Sequence, residues 1–357
     1  MAKSKKKGDK KKEDKMANKN TRSNARKGAN KYGNKAKKNK NDEFYTFLSD
    51  VEKELRHYKK HFKNKIVLCN CDDPRVSSFF HYLSYNFEQL GLKKLITTCY
   101  KNQQMELFSE HKSERAIYLE YTGDKNQNKV PDPEEIGIKN LKGDGDFRSK
   151  ECIELLKEAD IVVTNPPFSL FREYVEQLMN YKKKFLIIGD WNPITYKEIF
   201  PLIKENKIWI GMNSNRQLSG FIVPEHYTLH GTEARIDENG NRIVKSNRNC
   251  WFTNLDNDRR QEKLILYKKY DKTEYPTYDN YKAIEVSKVA NIPMNYKGAM
   301  GVPITFMNKY NPDQFEIIGC SYSYGEPEGY HIKGKGFDVS VNGKVIYKRL
   351  FVKNKKL

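Results

Sequence analysis

Between Asp160 and Arg172 the chain reads DIVVTNPPFSLFR, and residue types in that order can do chemistry. Asn165 brings a side-chain oxygen, Pro166 a backbone carbonyl and Phe168 a flat ring. Two acceptors on a stiff turn can take both hydrogens of an exocyclic amine. Such an amine is a poor nucleophile because its lone pair is delocalised into the ring it is attached to. Drawn towards sp³ geometry by two hydrogen bonds, it can aim the freed pair at an electrophile. No strong base is needed, since the proton can leave after the new bond has formed. A Pro-Cys pair, as used in cytosine-C5 chemistry, occurs nowhere in the chain.

The elements around these residues follow from the same stretch. Ile161, Val162 and Val163 form a β-branched apolar run, the pattern of a short buried strand, and two prolines can neither extend a sheet nor enter a helix interior. The strand therefore ends at Asn165. Phe168, Phe171, Val175 and Leu178 recur at helical spacing. Asn165 to Phe168 are thus expected on a strand-to-helix turn at the carboxyl end of a strand, where open α/β sheets bind ligands. The plainer alternative is a rigid loop with Phe168 as a helix-entry staple.

Asn165-Pro166-Pro167-Phe168 resembles the catalytic motif of amino-methyltransferases that use S-adenosylmethionine. That resemblance implies adenine N6 as the amine and Phe168 as a face for a base rotated out of its duplex.

Further elements alternate between strand and helix. A helix is expected from about Leu48, with Leu48, Val51, Leu55 and Tyr58 on its apolar face. Lys65 to Cys71 reads as a strand, then a helix through Leu90 with Asp73 as N-cap and Pro74 at its first position. Leu92 to Tyr100, Ala116 to Tyr121 and Lys184 to Asp190 are further strands, and Gly123 to Glu135 is a polar loop. Ser149 to Glu158 reads as a short helix. This alternation is the signature of a doubly wound sheet. After Tyr196 the pattern loosens, with strand-like pieces at Ile208 to Ile210, Gly220 to Val223, Cys250 to Thr253 and Leu264 to Tyr267. Phe315 to Cys320 and Val345 to Val352 are late strands expected to close the sheet.

The 357 residues, 37% hydrophobic, suffice for one large domain or a domain with a smaller partner. No apolar run approaches the roughly 20 residues of a membrane span, and the N-terminus has no signal-peptide core. A soluble intracellular protein is expected. Six cysteines without a Cys-x-x-Cys pair indicate neither a zinc site nor a disulfide framework, so no metal is expected. The formal net charge is +20, yet residues 1 to 40 hold 17 Lys/Arg against three acids, a net of +14. That Lys/Asn-rich tail has almost nothing to bury and is expected to be disordered. It is either a polycation that attracts phosphate backbones without reading sequence or a solubilising segment.

Several separated segments in one order carry a more specific resemblance: Asp42 to Thr46 (DEFYT), Val67 to Pro74 (VLCNCDDP), Gly143 to Ser149 (GDGDFRS), the NPPF turn, and Gly301 to Gly319. Together they resemble the EcoRI-type adenine-specific DNA methyltransferases, from about Asp42 onward. The resemblance implies S-adenosylmethionine as cofactor, double-stranded DNA as partner, and methylation at adenine N6. It also implies a cognate restriction endonuclease sharing the site without a direct complex, in a bacterial cytoplasm or encoded by a phage.

Position by position, it makes Asn165, Pro166, Pro167 and Phe168 the catalytic turn. Phe44, Tyr45 and Thr46 flank the methionine end of the cofactor, Asp72 and Asp73 lie in its first binding loop, and Asp146 with Phe147 lines the adenosine side. Core packing for the first group, and helix capping for Asp73 and Asp146, are the plainer readings. Two departures stand out: Arg75, Val76 and Ser77 replace the glycines of the first loop, and LITTCY has no acidic residue for the ribose.

The expected organisation is a disordered tail (1–40), a class I, Rossmann-like catalytic core (41–195), a DNA target-recognition region (196–300) and C-terminal strands completing the core (301–357). Arginines in the basic loops of the third segment, Arg216, Arg248, Arg259 and Arg260, are the candidate DNA contacts. An N4-cytosine or protein-glutamine methyltransferase, and a catalytically silent DNA-binding protein, remain alternatives. If the tail binds phosphates, deleting residues 1–40 will weaken duplex affinity mainly at low salt. A salt titration of DNA binding checks this, and an unchanged slope would make the tail a spacer.

Overall fold

In the computed structural model, strands rich in β-branched residues pair where their apolar runs can be covered on both faces. The structure describes residues 44–70, 77–99, 116–128, 131, 135–214, 217–225, 227–229, 234–245, 248–321 and 338–356. The chain divides into two units, Met1–Glu43 and Phe44–Leu357, and the first, with the expected tail, lies outside the described residues.

In the second unit, strand β1 (Tyr45–Thr46) leads into helix α1 (Leu48–Leu55) and a short helix α2 (Lys59–Phe62). Strand β2 (Ile66–Cys69), helices α3 (Ser78–Tyr85) and α4 (Phe87–Leu90), and strands β3 (Lys94–Thr98), β4 (Ile117–Tyr121) and β5 (Gly137–Asn140) follow. Next come helix α5 (Lys150–Glu158), β6 (Ile161–Thr164), helix α6 (Phe171–Asn180), β7 (Lys184–Asp190), a short helix α7 (Phe200–Lys204) and β8 (Trp209–Ser214). After them come β9 (Phe221–Val223), β10 (Arg235–Ile236), β11 (Arg242–Val244) and β12 (Asn249–Thr253). The C-terminal part holds β13 (Ile284–Glu285), β14 (Met300–Pro303), β15 (Phe315–Cys320), a hairpin of β16 (Ser340–Val341) and β17 (Lys344–Val345), and β18 (Arg349–Asn354).

The main sheet has the order β5-β4-β3-β2-β6-β7-β12-β8. Strands β3, β2, β6 and β7 are parallel neighbours. Alternate residues divide its core. Val67, Leu95, Ile161, Val163 and Leu186 pack with α1, α3 and α4, while Leu68, Ile96, Val162, Phe185 and Ile187 pack with α5 and α6. Burying each such side chain contributes about 1.5–3 kcal/mol. The chain leaves β2 towards β3 on one side and returns to β6 on the other, which opens a crevice at the carboxyl ends of β2 and β6.

Three expectations are corrected. First, β12 lies antiparallel between β7 and β8, so the main sheet is completed from within 196–300. Cys250, Trp251 and Phe252 are fully buried there, which suits an interior slot. The late strands instead build a second sheet, β13-β14-β18-β15, that shares the α5/α6 side of the core. Second, Leu264 to Tyr267 forms no strand, because the Gln314 side chain serves both the N–H (2.8 Å) and the carbonyl (2.8 Å) of Leu264. Third, helix α3 starts at Ser78, capped by the Ser77 hydroxyl on the Phe80 N–H (3.3 Å), not at an Asp73 cap. Beyond the expected polar loop, β5 is an exposed edge strand.

Helix α1 carries two buried carboxylates one turn apart. Asp50 accepts from the Ser219 N–H (2.6 Å) and hydroxyl (2.9 Å). Glu54 accepts from the backbone N–H groups of Met212 and Asn213 (both 2.7 Å) and from the Tyr58 hydroxyl (3.0 Å). A Cβ at Gly211 would stand 2.3 Å from the Glu54 carboxylate, so glycine is required where β8 passes it. Burial pushes the Glu54 carboxyl up from 4.5 to about 7 against those donors. The folded chain then holds a proton that the unfolded chain releases. This stabilises the fold below about pH 4.5, and the contribution is lost as pH rises through 7. Relative to Glu54→Gln, wild-type stability should fall by up to about 3 kcal/mol between pH 5 and pH 8. Urea unfolding of both chains at the two pH values measures this, and parallel pH curves would refute it.

Candidate active site

The geometry of this carboxyl edge starts from how β6 stops. Thr164 is its last residue, and its hydroxyl donates to the Asn70 carbonyl at the end of β2. Tyr174, on the buried face of α6, donates to the Asn70 side-chain oxygen. Asn70 thus ties the carboxyl ends of β2 and β6 to the helix beyond the turn. Pro166 and Pro167 follow, then a 3₁₀ turn over Phe168–Leu170, with the α-helix proper beginning at Phe171. The strand-to-helix turn is therefore where the sequence puts it, and Phe168 belongs to the turn rather than to the helix.

Asn165 is 8% exposed. Its amide nitrogen donates to the Phe44 carbonyl at 2.6 Å, and its amide oxygen is buried without a partner. The amide orientation follows, because only the NH₂ side can face a carbonyl. An unsatisfied buried acceptor costs about 1–3 kcal/mol, the kind of deficit a ligand N–H removes. Beside it, the Phe44 and Phe168 rings stack with centroids 5.2 Å apart and planes 20° apart. Phe221 meets both edge-on, at 5.7 Å and 5.9 Å. Tyr227 meets Phe44 in the same way at 5.6 Å. This cluster joins the turn to a small sheet of order β1-β9-β11-β10.

Other expected site residues fall into two groups. Tyr45 and Thr46 pair with Ile222 and Phe221, and the Thr46 hydroxyl is buried without a partner. Gly145, with φ +78°, passes so close to the Cys99 carbonyl at the end of β3 that a Cβ would stand 2.2 Å from it. The next residues are therefore held at that carboxyl edge. Asp146 grips Arg148 with both oxygens (2.9 and 2.7 Å), and those hydrogen bonds hold its carboxyl below the usual range. Capping of α5 falls to Ser149 instead, whose hydroxyl accepts from the Cys152 N–H (3.3 Å). Phe147 is buried against Tyr174, ring to ring at 5.0 Å. The Thr97 and Thr98 hydroxyls near the end of β3 are buried and unpartnered. Asp72, Asp73 and Arg216 lie outside the described residues.

Strand register separates the arginines. Arg248 precedes β12 opposite the end of β7, with its Nε 3.6 Å from Asp190 and its carbonyl accepting from the Trp191 N–H (2.7 Å). Burial pushes the Asp190 carboxyl up, and Arg248 and Lys348 oppose it. Arg259 and Arg260 follow the other end of β12, at the amino edge of the parallel strands. Arg259 donates to the Gly211 carbonyl (3.0 Å), and Arg260 lies over the Trp209 ring at 3.7 Å while donating to Asn206 (3.2 Å). Both brace the base of the sheet, at the opposite edge from Arg248.

Three contributors were not foreseen. Asn70 and Phe221 are two, and Lys348 is the third, buried at the start of β18 with its Nζ 2.7 Å from Asn192. Only Asn70, at a strand end beside the aspartates, carried a local signal. Among the described residues, no cluster of His, Cys, Asp and Glu could hold a metal, and no helix is long and apolar enough to cross a membrane.

Residues 32–355 match the family model described as adenine-specific methyltransferase EcoRI. The chain belongs to this family. A type II methyltransferase of Escherichia coli, M.EcoRI, is 54% identical over 325 residues, covering 90% of this chain and 96% of the relative. M.MgeORF184P of Mycoplasma genitalium is 39% identical over 334 residues, covering 90% and 98%. M.MpnI of Mycoplasma pneumoniae is 39% identical over 290 residues, covering 80% and 84%. No solved structure matches. As a member of the EcoRI family, the chain is an adenine-specific DNA methyltransferase with a mixed α/β fold.

The tie through Asn70 makes one prediction for this enzyme. Tyr174→Phe leaves the Asn70 side-chain oxygen buried without its donor and should destabilise the fold by about 1–3 kcal/mol. Denaturant unfolding of the variant checks this, and an unchanged midpoint would show that the bond contributes nothing.

Proposed function

We propose that this methyltransferase acts on adenine N6 of a base rotated out of duplex DNA, with the reaction centred on Asn165. The observation that carries this reading is the buried, partnerless amide oxygen of Asn165, left free because the nitrogen of the same amide is bonded to Phe44. That oxygen and the Pro166 carbonyl accept the two N6 hydrogens and draw the amine towards sp³ geometry. Pro166 and Pro167 keep the two acceptors in fixed relation, and Phe168 offers its ring to the base. No residue of the turn is a base, and none is required, because the amine sheds its proton after transfer.

The cofactor in this reading is S-adenosylmethionine, in a class I, Rossmann-like, doubly wound fold. When bound it supplies an electrophilic methyl group. The crevice beside β2 and the buried, unpartnered hydroxyls of Thr46, Thr97 and Thr98 fit a polar ligand. Phe44, Tyr45 and Thr46 would flank it on one side, Asp146 and Phe147 on the other, and Asp72 and Asp73 would hold it from the loop after β2. Because Arg148 occupies both oxygens of Asp146, that residue would act by shaping the loop.

The small sheet β1-β9-β11-β10 and the carboxyl edge bearing Arg248 would form the target-recognition surface, with Arg216 as a further contact. The biological setting that fits is a bacterial cytoplasm, where the mark protects DNA from an endonuclease reading the same site.

The test is transfer of label from radioactive S-adenosylmethionine to unmethylated duplex, followed by nucleoside analysis. Wild type should place label in N6-methyladenosine. Asn165→Ala should abolish transfer and leave duplex binding within a few-fold, since it removes an acceptor and not a phosphate contact. Equal loss of binding in the variant would overturn the role given to Asn165.

A further inference from the structure

Phe44 stands where two separate constraints on the catalytic turn meet. Its backbone carbonyl takes the Asn165 NH₂ at 2.6 Å, and its ring stacks on Phe168 at 5.2 Å. We infer that Phe44 is a positioning residue for methyl transfer, linking the small sheet to both working groups of the turn. The inference rests on the reading of Asn165 as the group that holds the target amine, and it gives Phe44 a role beyond flanking the cofactor.

The argument begins with the amide. A free asparagine side chain presents oxygen or nitrogen to a given neighbour at little cost, and only one orientation can accept from an amine. A carbonyl beside it removes that choice. The Phe44 carbonyl consumes an amide N–H and leaves the oxygen for the substrate. Phe168 is constrained in parallel. It lies in a short 3₁₀ turn, only partly buried, and its ring is fixed by Phe44 on its face and Phe221 at its edge.

What holds Phe44 is itself remote from the turn in sequence. The next two residues, Tyr45 and Thr46, are the whole of β1, paired antiparallel with Ile222 and Phe221 of β9. Tyr227, just beyond β9, packs edge-on against the Phe44 ring. Strand β9 is in turn anchored from the other side by Asp50 of α1, which takes the Ser219 N–H and hydroxyl. A displacement of β9 therefore reaches Asn165 through the Phe44 carbonyl and Phe168 through two rings. In consequence, contacts that shift this sheet change the rate of transfer and not only the affinity for DNA.

The experiment compares wild type, Phe44→Ala, Phe44→Tyr and Phe221→Ala, with Asn165→Ala alongside. Four quantities are read: cofactor affinity by equilibrium titration, duplex affinity, the single-turnover methylation rate, and fluorescence of 2-aminopurine at the target adenine. Thermal melts identify any variant that fails to fold. At saturating cofactor, Phe44→Ala should slow single-turnover transfer by about 100-fold, more than any loss of cofactor affinity, with duplex affinity within about threefold of wild type. Phe44→Tyr keeps the ring and should restore the rate to within about threefold. Phe44→Ala and Phe221→Ala together should cost less than the product of their separate effects, because they act through the same rings. The 2-aminopurine signal should change in Phe44→Ala, where Phe168 is no longer held.

If Phe44→Ala loses cofactor affinity in proportion to rate, Phe44 is a cofactor contact and the inference fails. An unchanged rate, or a faster one, also overturns it. Failure here is distinguishable from failure of the reading it rests on. An inactive Asn165→Ala beside a normal Phe44→Ala removes only the inference, whereas an active Asn165→Ala removes the reading of the turn.

Discussion

A protein interior seldom tolerates a hydrogen-bond acceptor with nothing to accept, and this fold is built around keeping one. In the proposed role of Asn165, its oxygen stays unpaired until a substrate amine arrives, while the nitrogen on the same amide is paired so that the group cannot turn over. The bond from Asn165 to the Phe44 carbonyl meets both demands. It also explains why residues from the start of the folded chain have to lie against a turn in its middle.

The surrounding architecture serves that one contact. Parallel strands β2 and β6 bring their carboxyl ends side by side, and Asn70 bonds across to Thr164 and Tyr174 so that the ends stay level. Helix α1 uses two buried carboxylates to hold the end of β8 and the approach to β9, which keeps β9 available to pair with β1. These ties are polar and buried, and each is worth most as a constraint on position. The bulk of the stabilisation comes from the two apolar layers on either face of the sheet.

Local chemistry was legible in the sequence, and long-range pairing was not. Pro166 and Pro167 stop a strand wherever they occur, so the turn could be located without knowing its neighbours. Strands β7 and β15 were bounded correctly because their apolar runs end at charged or turn-forming residues. Nothing local in Tyr45 or Thr46 announces a partner at Ile222, and nothing in CWFT announces an antiparallel slot between β7 and β8. The arginines show the same limit. Arg248 and Arg259 look alike as basic residues in the sequence, yet one β-strand separates them, and its length carries them to opposite edges of the sheet. Ser77 capped a helix for which Asp73 was an equally suitable candidate by type, a choice that only the helix start could decide.

The slot taken by β12 also orders events at the ribosome. Strand β7 is synthesised before β8, but it is β12, made after both, that bonds to each of them. A nascent chain that has reached Ser214 therefore has β7, apolar along most of its length, with one edge bare and β8 with no strand to join. Bare apolar edges are templates for unwanted pairing between chains. The edge of β7 thus stays bare until β12 is complete at Thr253, a window set by strand order alone.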